Sequence, residues 1–173
     1  MTPKIINKIW LVHQRKHYKQ FQRNLSNCKD VQENILMDYL RENSSSDFGK
    51  FYEFNKIKNY SDYSQAIPII EDFSEIQRFI DDISIGKNNV LFSGAPLFFE
   101  STSGSSSSSK LIPYNNALKS EFNTAISVWM WNLNQLDPKI FSGKSYWSLS
   151  PPLKEKTTTI SGIPIGVDDD SDY

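Results

Sequence analysis

The stretch Phe98-Phe99-Glu100-Ser101-Thr102-Ser103-Gly104-Ser105-Ser106-Ser107-Ser108-Ser109-Lys110-Leu111-Ile112-Pro113-Tyr114 runs from apolar residues into a hydroxyl-rich loop, then through one lysine into a second apolar run. Short apolar runs bounded by Gly, Ser and Pro carry the signature of strands. Composition does not shift across the loop, so it is expected to join two strands rather than two domains. A loop of small residues can turn several backbone N–H groups towards one anion, and a lysine at its end supplies a point charge. The competing reading is a flexible serine-rich linker that happens to end in lysine. The Gly-x-x-x-x-Gly-Lys-Ser/Thr phosphate loop does not fit. Ser109 rather than glycine precedes Lys110, and Leu111-Ile112-Pro113 follows where that loop would begin a helix.

Outward from the loop the apolar period changes. From Ile5 to about Leu25 there is neither Gly nor Pro, and Ile6, Ile9, Trp10, His13, His17, Phe21 and Leu25 recur at helical spacing. This predicts an amphipathic helix with a basic outer face. Ser26 or Asn27 is expected to cap a second helix with Val31, Ile35, Leu36, Tyr39 and Leu40 as its buried stripe. The two are expected to form an antiparallel pair within residues 1–47. The aromatic stretch Phe48–Phe54 reads as a packed turn. A short helix follows over Tyr60–Ala66, with Ser61 as its cap, then an extended Ile67-Pro68-Ile69-Ile70. Asp72 or Ser74 starts a helix carrying Phe73, Ile76, Phe79, Ile80 and Ile83, ended near Gly86.

After Gly86 the runs Val90–Phe92, Leu97–Phe99 and Leu111–Ile112 read as strands. A long helix is predicted from about Asn116 to Leu133, with Leu118, Phe122, Ile126 and Trp129 on one face, and Tyr146–Leu149 and Thr157–Ile160 as further strands. Helices first, then strand, loop, strand, helix and strand, predict an α/β fold with a helical N-terminal layer on a mixed sheet.

The totals narrow the function class. A chain of 173 residues can bury roughly 68–70% of its unfolded surface as one domain. A net charge of −1 gives no reason to expect nucleic acid or an anionic membrane as partner. No apolar run approaches the ~18–20 residues of a membrane span. The start of the chain does not resemble a secretory leader, and the single cysteine, Cys28, suits a reducing compartment. The expected location is the cytoplasm. His13 and His17 have the spacing of a zinc pair but no acidic residue between them and no third histidine. They read as surface or half-packed side chains, Cys28 as inert, and the aspartates of 168–172 as an acidic surface loop. Trp129, Trp131 and Trp147 serve either as core or as walls of a substrate pocket.

The loop resembles the first core motif of acyl-adenylate-forming enzymes, Thr-Ser-Gly-Thr-Thr-Gly-x-Pro-Lys. Thr102, Ser103, Gly104, Ser105, Ser106 and Lys110 fall in register with it, while Ser107 and Ser109 replace a glycine and the proline. Phe48-Gly49-Lys50, Ile67-Pro68-Ile69, Ile85-Gly86, Lys110-Leu111-Ile112-Pro113, Tyr146–Pro151 and Gly162–Gly166 are similar to the auxin-responsive promoter family of acyl acid–amido synthetases. The similarity runs from about Leu36 to Tyr173 and implies the N-terminal portion of an adenylate-forming domain over 1–173, with its phosphate-binding loop at 101–110. It further implies ATP and Mg²⁺, a carboxylic acid, and an amine or amino acid as acceptor. Thr102, Ser103, Gly104, Ser105, Ser106 and Ser107 would bind the nucleotide phosphates, and Lys110 would be the catalytic cation. The later motifs of such synthetases do not occur in these residues, so the expectation is one piece of a longer enzyme whose remainder is a partner of this chain. A non-enzymatic interaction module with a flexible loop is the alternative.

Fixing about ten loop residues costs on the order of 10–20 kcal/mol of backbone entropy. Hydrogen bonds to a charged partner contribute roughly 1.5–3 kcal/mol each. The loop is therefore expected to order only when nucleotide is bound. Limited proteolysis should cut within 101–110 in the free chain and be slowed there by MgATP; equal cutting in both samples would refute this.

Overall fold

Helix α5 (Ser74–Ser84) has the cleanest apolar stripe in the chain, and the sheet is built against it. Its Phe79, Ile80 and Ile83 are buried with Val90 and Phe99. In this computed structural model residues 2–102, 110–144 and 157–166 are described. The other helices are α1 (Pro3–Leu25), α2 (Cys28–Glu42), α3 (Asp47–Phe51), α4 (Tyr60–Ala66) and α6 (Asn116–Leu136). The strands are β1 (Phe98–Ser101), β2 (Leu111–Tyr114), β3 (Thr157–Thr158) and β4 (Pro164–Ile165). These elements divide between two compact units, one holding α1 and nearly all of α6, the other holding α2 to α5 and the sheet.

In the second unit four strands form one sheet in the order β2-β1-β4-β3. β1 pairs antiparallel with β2 and parallel with β4, and β3 pairs antiparallel with β4. The sheet is mixed, as the order of elements predicts. Phe99 is fully buried on β1, and Leu111, Ile163 and Ile165 pack against the same cluster as the α5 stripe. A helical layer on a mixed sheet is thus the architecture of this unit. Pro113 is tolerated within β2 because that strand lies at the sheet edge. Gly86 ends the α5 turn with φ +96°, a region glycine enters without a steric cost. Its amide donates to the Ile83 carbonyl at 2.9 Å.

A polar corner holds the start of this unit together. The Ser46 hydroxyl is fully buried, accepts from the Gly49 amide at 2.9 Å and donates to the Asn43 carbonyl at 2.7 Å. That is an N-cap for α3. The Asp47 and Phe48 amides then donate to the carbonyls of Asn89 and Val90, at 2.8 and 2.9 Å. Phe48 meets Tyr52 at a tilt and Phe54 and Phe79 edge to face, at ring separations of 4.7, 5.8 and 5.2 Å, so the aromatic stretch is a packed turn as expected. Leu40 of α2 is buried with Phe54 and Ile57.

In the first unit Leu11 of α1, Met130 of α6 and Phe141 of the 3-10 turn Pro138–Ser142 form the core, with Ile126, Trp131 and Leu133 around it. The Asn7 amide donates to the carbonyls of Phe141 and Gly143, at 3.1 and 2.8 Å, and ties that turn to α1. Both N-terminal helices form, yet α1 is buried by α6 and this turn, and α2 by Phe54 and Ile57.

Four local expectations are corrected. Val90–Phe92 is a bend, not a strand: Asn89 at φ +57° breaks the extended path. Here the carbonyls bond to the Asp47 and Phe48 amides instead of a ladder. Asn59, not Ser61, caps α4, its side chain accepting from the Asp62 amide at 2.9 Å. On α1 the buried positions are Leu11 and Gln14, while Ile6, Ile9, Phe21 and Leu25 are exposed, Ile9 by 50%. On α6 they are Ser127 and Met130, with Trp129 exposed by 51%. Ile5, Ile6, Ile9, Trp10, Leu11 and Val12 surround α1 with apolar groups. Periodicity alone therefore does not select the face that packs. The predicted strand Tyr146–Leu149 lies outside the described residues.

A Cβ on Gly49 would stand 2.1 Å from the Asn43 carbonyl oxygen, with backbone atoms as its other neighbours. Gly49→Ala should therefore cost about 1–3 kcal/mol, the usual penalty for forced overpacking. Gly143, whose added Cβ meets nothing, should tolerate alanine within about 0.5 kcal/mol. Urea unfolding of the two variants checks the contrast, and equal midpoints would contradict it.

Candidate phosphate-binding site

The candidate site grows from the β1–β2 pair. Phe98 faces Tyr114, Phe99 Pro113, Glu100 Ile112 and Ser101 Leu111 in an unbroken antiparallel register. The Phe98 and Tyr114 rings stack at 4.9 Å and 14°. Beyond the last pair the ladder continues for one more step. The Thr102 amide donates to the Lys110 carbonyl at 2.9 Å, and the Lys110 amide donates to the Thr102 hydroxyl oxygen at 3.2 Å. Thr102 and Lys110 are therefore brought face to face at the base of the loop, as the strand–loop–strand reading requires. Ser103, Gly104, Ser105, Ser106 and Ser107, the other expected phosphate contacts, lie outside the described residues.

On its far side β1 is held by β4. Phe99 faces Ile165, and the Gly166 amide donates to the Phe99 carbonyl at 2.7 Å. The strand that feeds the loop is thus bonded on both edges and buried at its centre. A rigid scaffold under a polar loop is the general arrangement by which loops present ligand-binding groups.

The Lys110 side chain is exposed, and its ammonium sits 4.9 Å from the centroid of the Phe73 ring. The Asp72 carboxyl lies below the ordinary carboxylate range, chiefly because the Ser74 amide donates to it at 2.9 Å and secondarily through the Ser74 side chain. The Lys110 charge lowers it further. The sequence places Asp72 or Ser74 at the start of a helix carrying Phe73; α5 begins at Ser74, with Phe73 at its N-cap and packed on the core. Nothing in the spacing shows that the lysine, 37 positions beyond Phe73, returns to it.

The remaining candidates separate. Trp131 lines a cavity of about 320 Å³ in the first unit, together with Lys4, Lys8, Leu11, Val12 and Phe141. Trp147 lies outside the described residues, as do the aspartates of 168–172. His13 is exposed and His17 half-buried. Among the described residues no group of three His, Cys, Asp or Glu side chains could hold a metal. Cys28 is a free, exposed thiol. Among the described residues no helix is long and apolar enough to cross a membrane.

The described fold of the second unit is a helical layer on a small mixed sheet, with Thr102 and Lys110 paired at the end of β1 and β2. The profile described as the GH3 family N-terminal domain matches residues 17–169, and the chain belongs to that family. Two solved structures are similar. One, a GH3.15 acyl acid amido synthetase, aligns with TM-score 0.73 and 17% identity over 86% of this chain and 27% of its own length. The other, AtGH3.15 acyl acid amido synthetase in complex with 2,4-DB, aligns with TM-score 0.76 and 17% identity over 90% of this chain and 27% of its own. This chain thus spans about a quarter of the synthetases it resembles in structure. A search of curated protein sequences returned no match.

Thr102→Val keeps the β-branched shape but removes the acceptor for the Lys110 amide. Exchange of that amide with solvent should accelerate, while the urea midpoint stays within about 0.5 kcal/mol of wild type. Unchanged exchange would show that the loop base is held by other contacts.

Proposed function

We propose that this chain forms the phosphate-binding part of an ATP-dependent acyl acid–amido synthetase. The observation that carries the reading is the pairing of Thr102 with Lys110 at the end of a doubly bonded strand, in a chain belonging to the GH3 family. The fit to a polyphosphate is chemical. The base of the loop offers a hydroxyl and an ammonium within one ladder step, and the loop between them is all serine and one glycine. Ser103, Gly104, Ser105, Ser106 and Ser107 are assigned to the β- and γ-phosphates through backbone N–H and hydroxyl groups.

Mg²⁺ would arrive bound to ATP and would supply Lewis-acid withdrawal of charge from the phosphates. In the overall reaction a carboxylate oxygen attacks the α-phosphorus and the bond to pyrophosphate breaks. An amine nitrogen then attacks the acyl carbon, the bond to AMP breaks, and the amine proton passes to solvent. Lys110 acts on the first of these steps, where its charge offsets the negative charge gathering on the departing pyrophosphate. Thr102 holds the lysine backbone so that this charge is delivered from a fixed point. A neighbour that binds 2,4-DB supports a small organic molecule as the other ligand. An amine or amino acid as acceptor completes the reading.

The test is binding of MgATP to the chain, followed by calorimetry. Lys110→Ala removes one charge-assisted contact and should raise Kd about tenfold or more. In a synthetase polypeptide that includes this chain, acid-dependent exchange of pyrophosphate into ATP should fall with the same substitution. Equal binding by wild type and variant would remove Lys110 from the site.

A further inference from the structure

The Lys110 ammonium lies near an aromatic ring outside the loop. Its backbone is pinned to Thr102 by bonds of 2.9 and 3.2 Å, so only the side chain is free to choose a partner. It lies 4.9 Å from the Phe73 ring centroid, within the range at which a cation is attracted to a ring face. The ring itself is anchored: Phe73 is half-buried and packs against the cluster of Phe79, Ile80 and Phe99. Its neighbour Asp72 is fixed from both sides of the helix start. The Asp72 carboxylate accepts from the Ser74 amide at 2.9 Å, and its own amide donates to the Glu75 carboxylate at 3.4 Å. An anchored ring at the start of α5 thus stands beside one long, exposed cation, with the exposed Asp72 next to it in the chain.

We propose that Phe73 is a positioning residue for Lys110, its ring forming a seat, beside the charge of Asp72, that holds the ammonium while no anion is bound and that an incoming phosphate must empty. This deepens the nucleotide reading of the same lysine and rests on it for the second half of the statement. The seat keeps a lone cation from roaming and presents it from one defined place. It also competes with the phosphate, because an ammonium on the ring cannot lie against a phosphate oxygen elsewhere. The apparent affinity for the anion is lowered by the fraction of molecules in which the lysine is seated.

The experiment uses the whole chain. The ε-methylene protons of Lys110, assigned through Lys110→Arg, should resonate upfield of those of the other lysines because of the Phe73 ring current. Phe73→Tyr should keep that shift and Phe73→Leu abolish it. In Asp72→Asn the acceptor for the Ser74 amide is retained, so the helix start survives while the charge is lost, and the shift should shrink. A Lys110 shift like that of the other lysines, or one that survives Phe73→Leu, overturns the seat. Should Phe73→Leu fail to fold, the Asp72→Asn result decides, with an unchanged shift counting against the proposal.

With MgATP added, the wild-type shift should be lost. Phe73→Leu and Asp72→Asn should each bind MgATP about two- to fivefold more tightly, the scale of one exposed cation–π contact or ion pair. Phe73→Tyr should bind as wild type does. Weaker or unchanged binding in both removing variants refutes the competition. Absence of MgATP binding in the wild type would instead remove the nucleotide reading, and the ring-current result would still decide the seat.

Discussion

The backbone of Gly49 lies against the Asn43 carbonyl at a distance no side chain could share, and the rest of the sheet-bearing unit depends on that approach. It lets the chain leave α2, turn through the buried Ser46 hydroxyl and enter α3 without a gap. The two amides that follow, of Asp47 and Phe48, are thereby aimed at the carbonyls of Asn89 and Val90. Val90 is drawn into the core, where it is 1% exposed, and the chain then runs on towards β1. A second set of bonds closes the same corner. The Asn43 side chain accepts from the Ser93 amide at 2.9 Å, and the Asn89 side chain from the Gly94 amide at 2.7 Å. The path from α2 to the loop strand is therefore fixed by hydrogen bonds in series, with the apolar cluster of α5 and Phe99 as its backing.

What the sequence discloses follows from how many faces an element buries. α5 has one apolar stripe, so Phe73, Ile76, Phe79, Ile80 and Ile83 identify their own face. β1 and β2 are legible because Gly, Ser and Pro bound them. α1 and α6 carry apolar residues around more than one side, and the packed side, Leu11 on one and Met130 on the other, is chosen by tertiary partners. Val90–Phe92 has strand composition but lies at a corner where a left-handed Asn89 and Gly94 set the path. β4 is two residues long and contains a proline, below any pattern threshold. At the site the loop and its lysine are visible as composition and spacing. The link from Lys110 to Phe73 and Asp72 is tertiary and leaves no periodic trace.

The surplus of apolar surface has a consistent scale. Val12 is 64% exposed, Trp129 51% and Ile140 54%, and each neighbours residues that are buried in the Leu11–Met130–Phe141 core. Helices apolar on several sides are characteristic of elements covered from several sides in larger folds. The synthetases that align with this chain are about three times its length, since 86–90% of it covers 27% of them.

The loop's composition sets how much a ligand must contribute. Between Thr102 and Lys110, whose backbones pair, the sequence places seven residues, 103–109. Fixing these residues costs on the order of 7–14 kcal/mol of backbone entropy. One carboxylate, accepting two or three hydrogen bonds worth roughly 1.5–3 kcal/mol each, falls short of that range for most geometries. A triphosphate presents many more acceptor oxygens along its length. Serine in place of glycine within the loop narrows the backbone conformations open to the free chain, which reduces the entropy lost when the loop is fixed. Each hydroxyl also adds a donor that glycine lacks. The two replacements therefore oppose each other: Ser107 in place of glycine lowers the cost of ordering, and Ser109 in place of proline raises it.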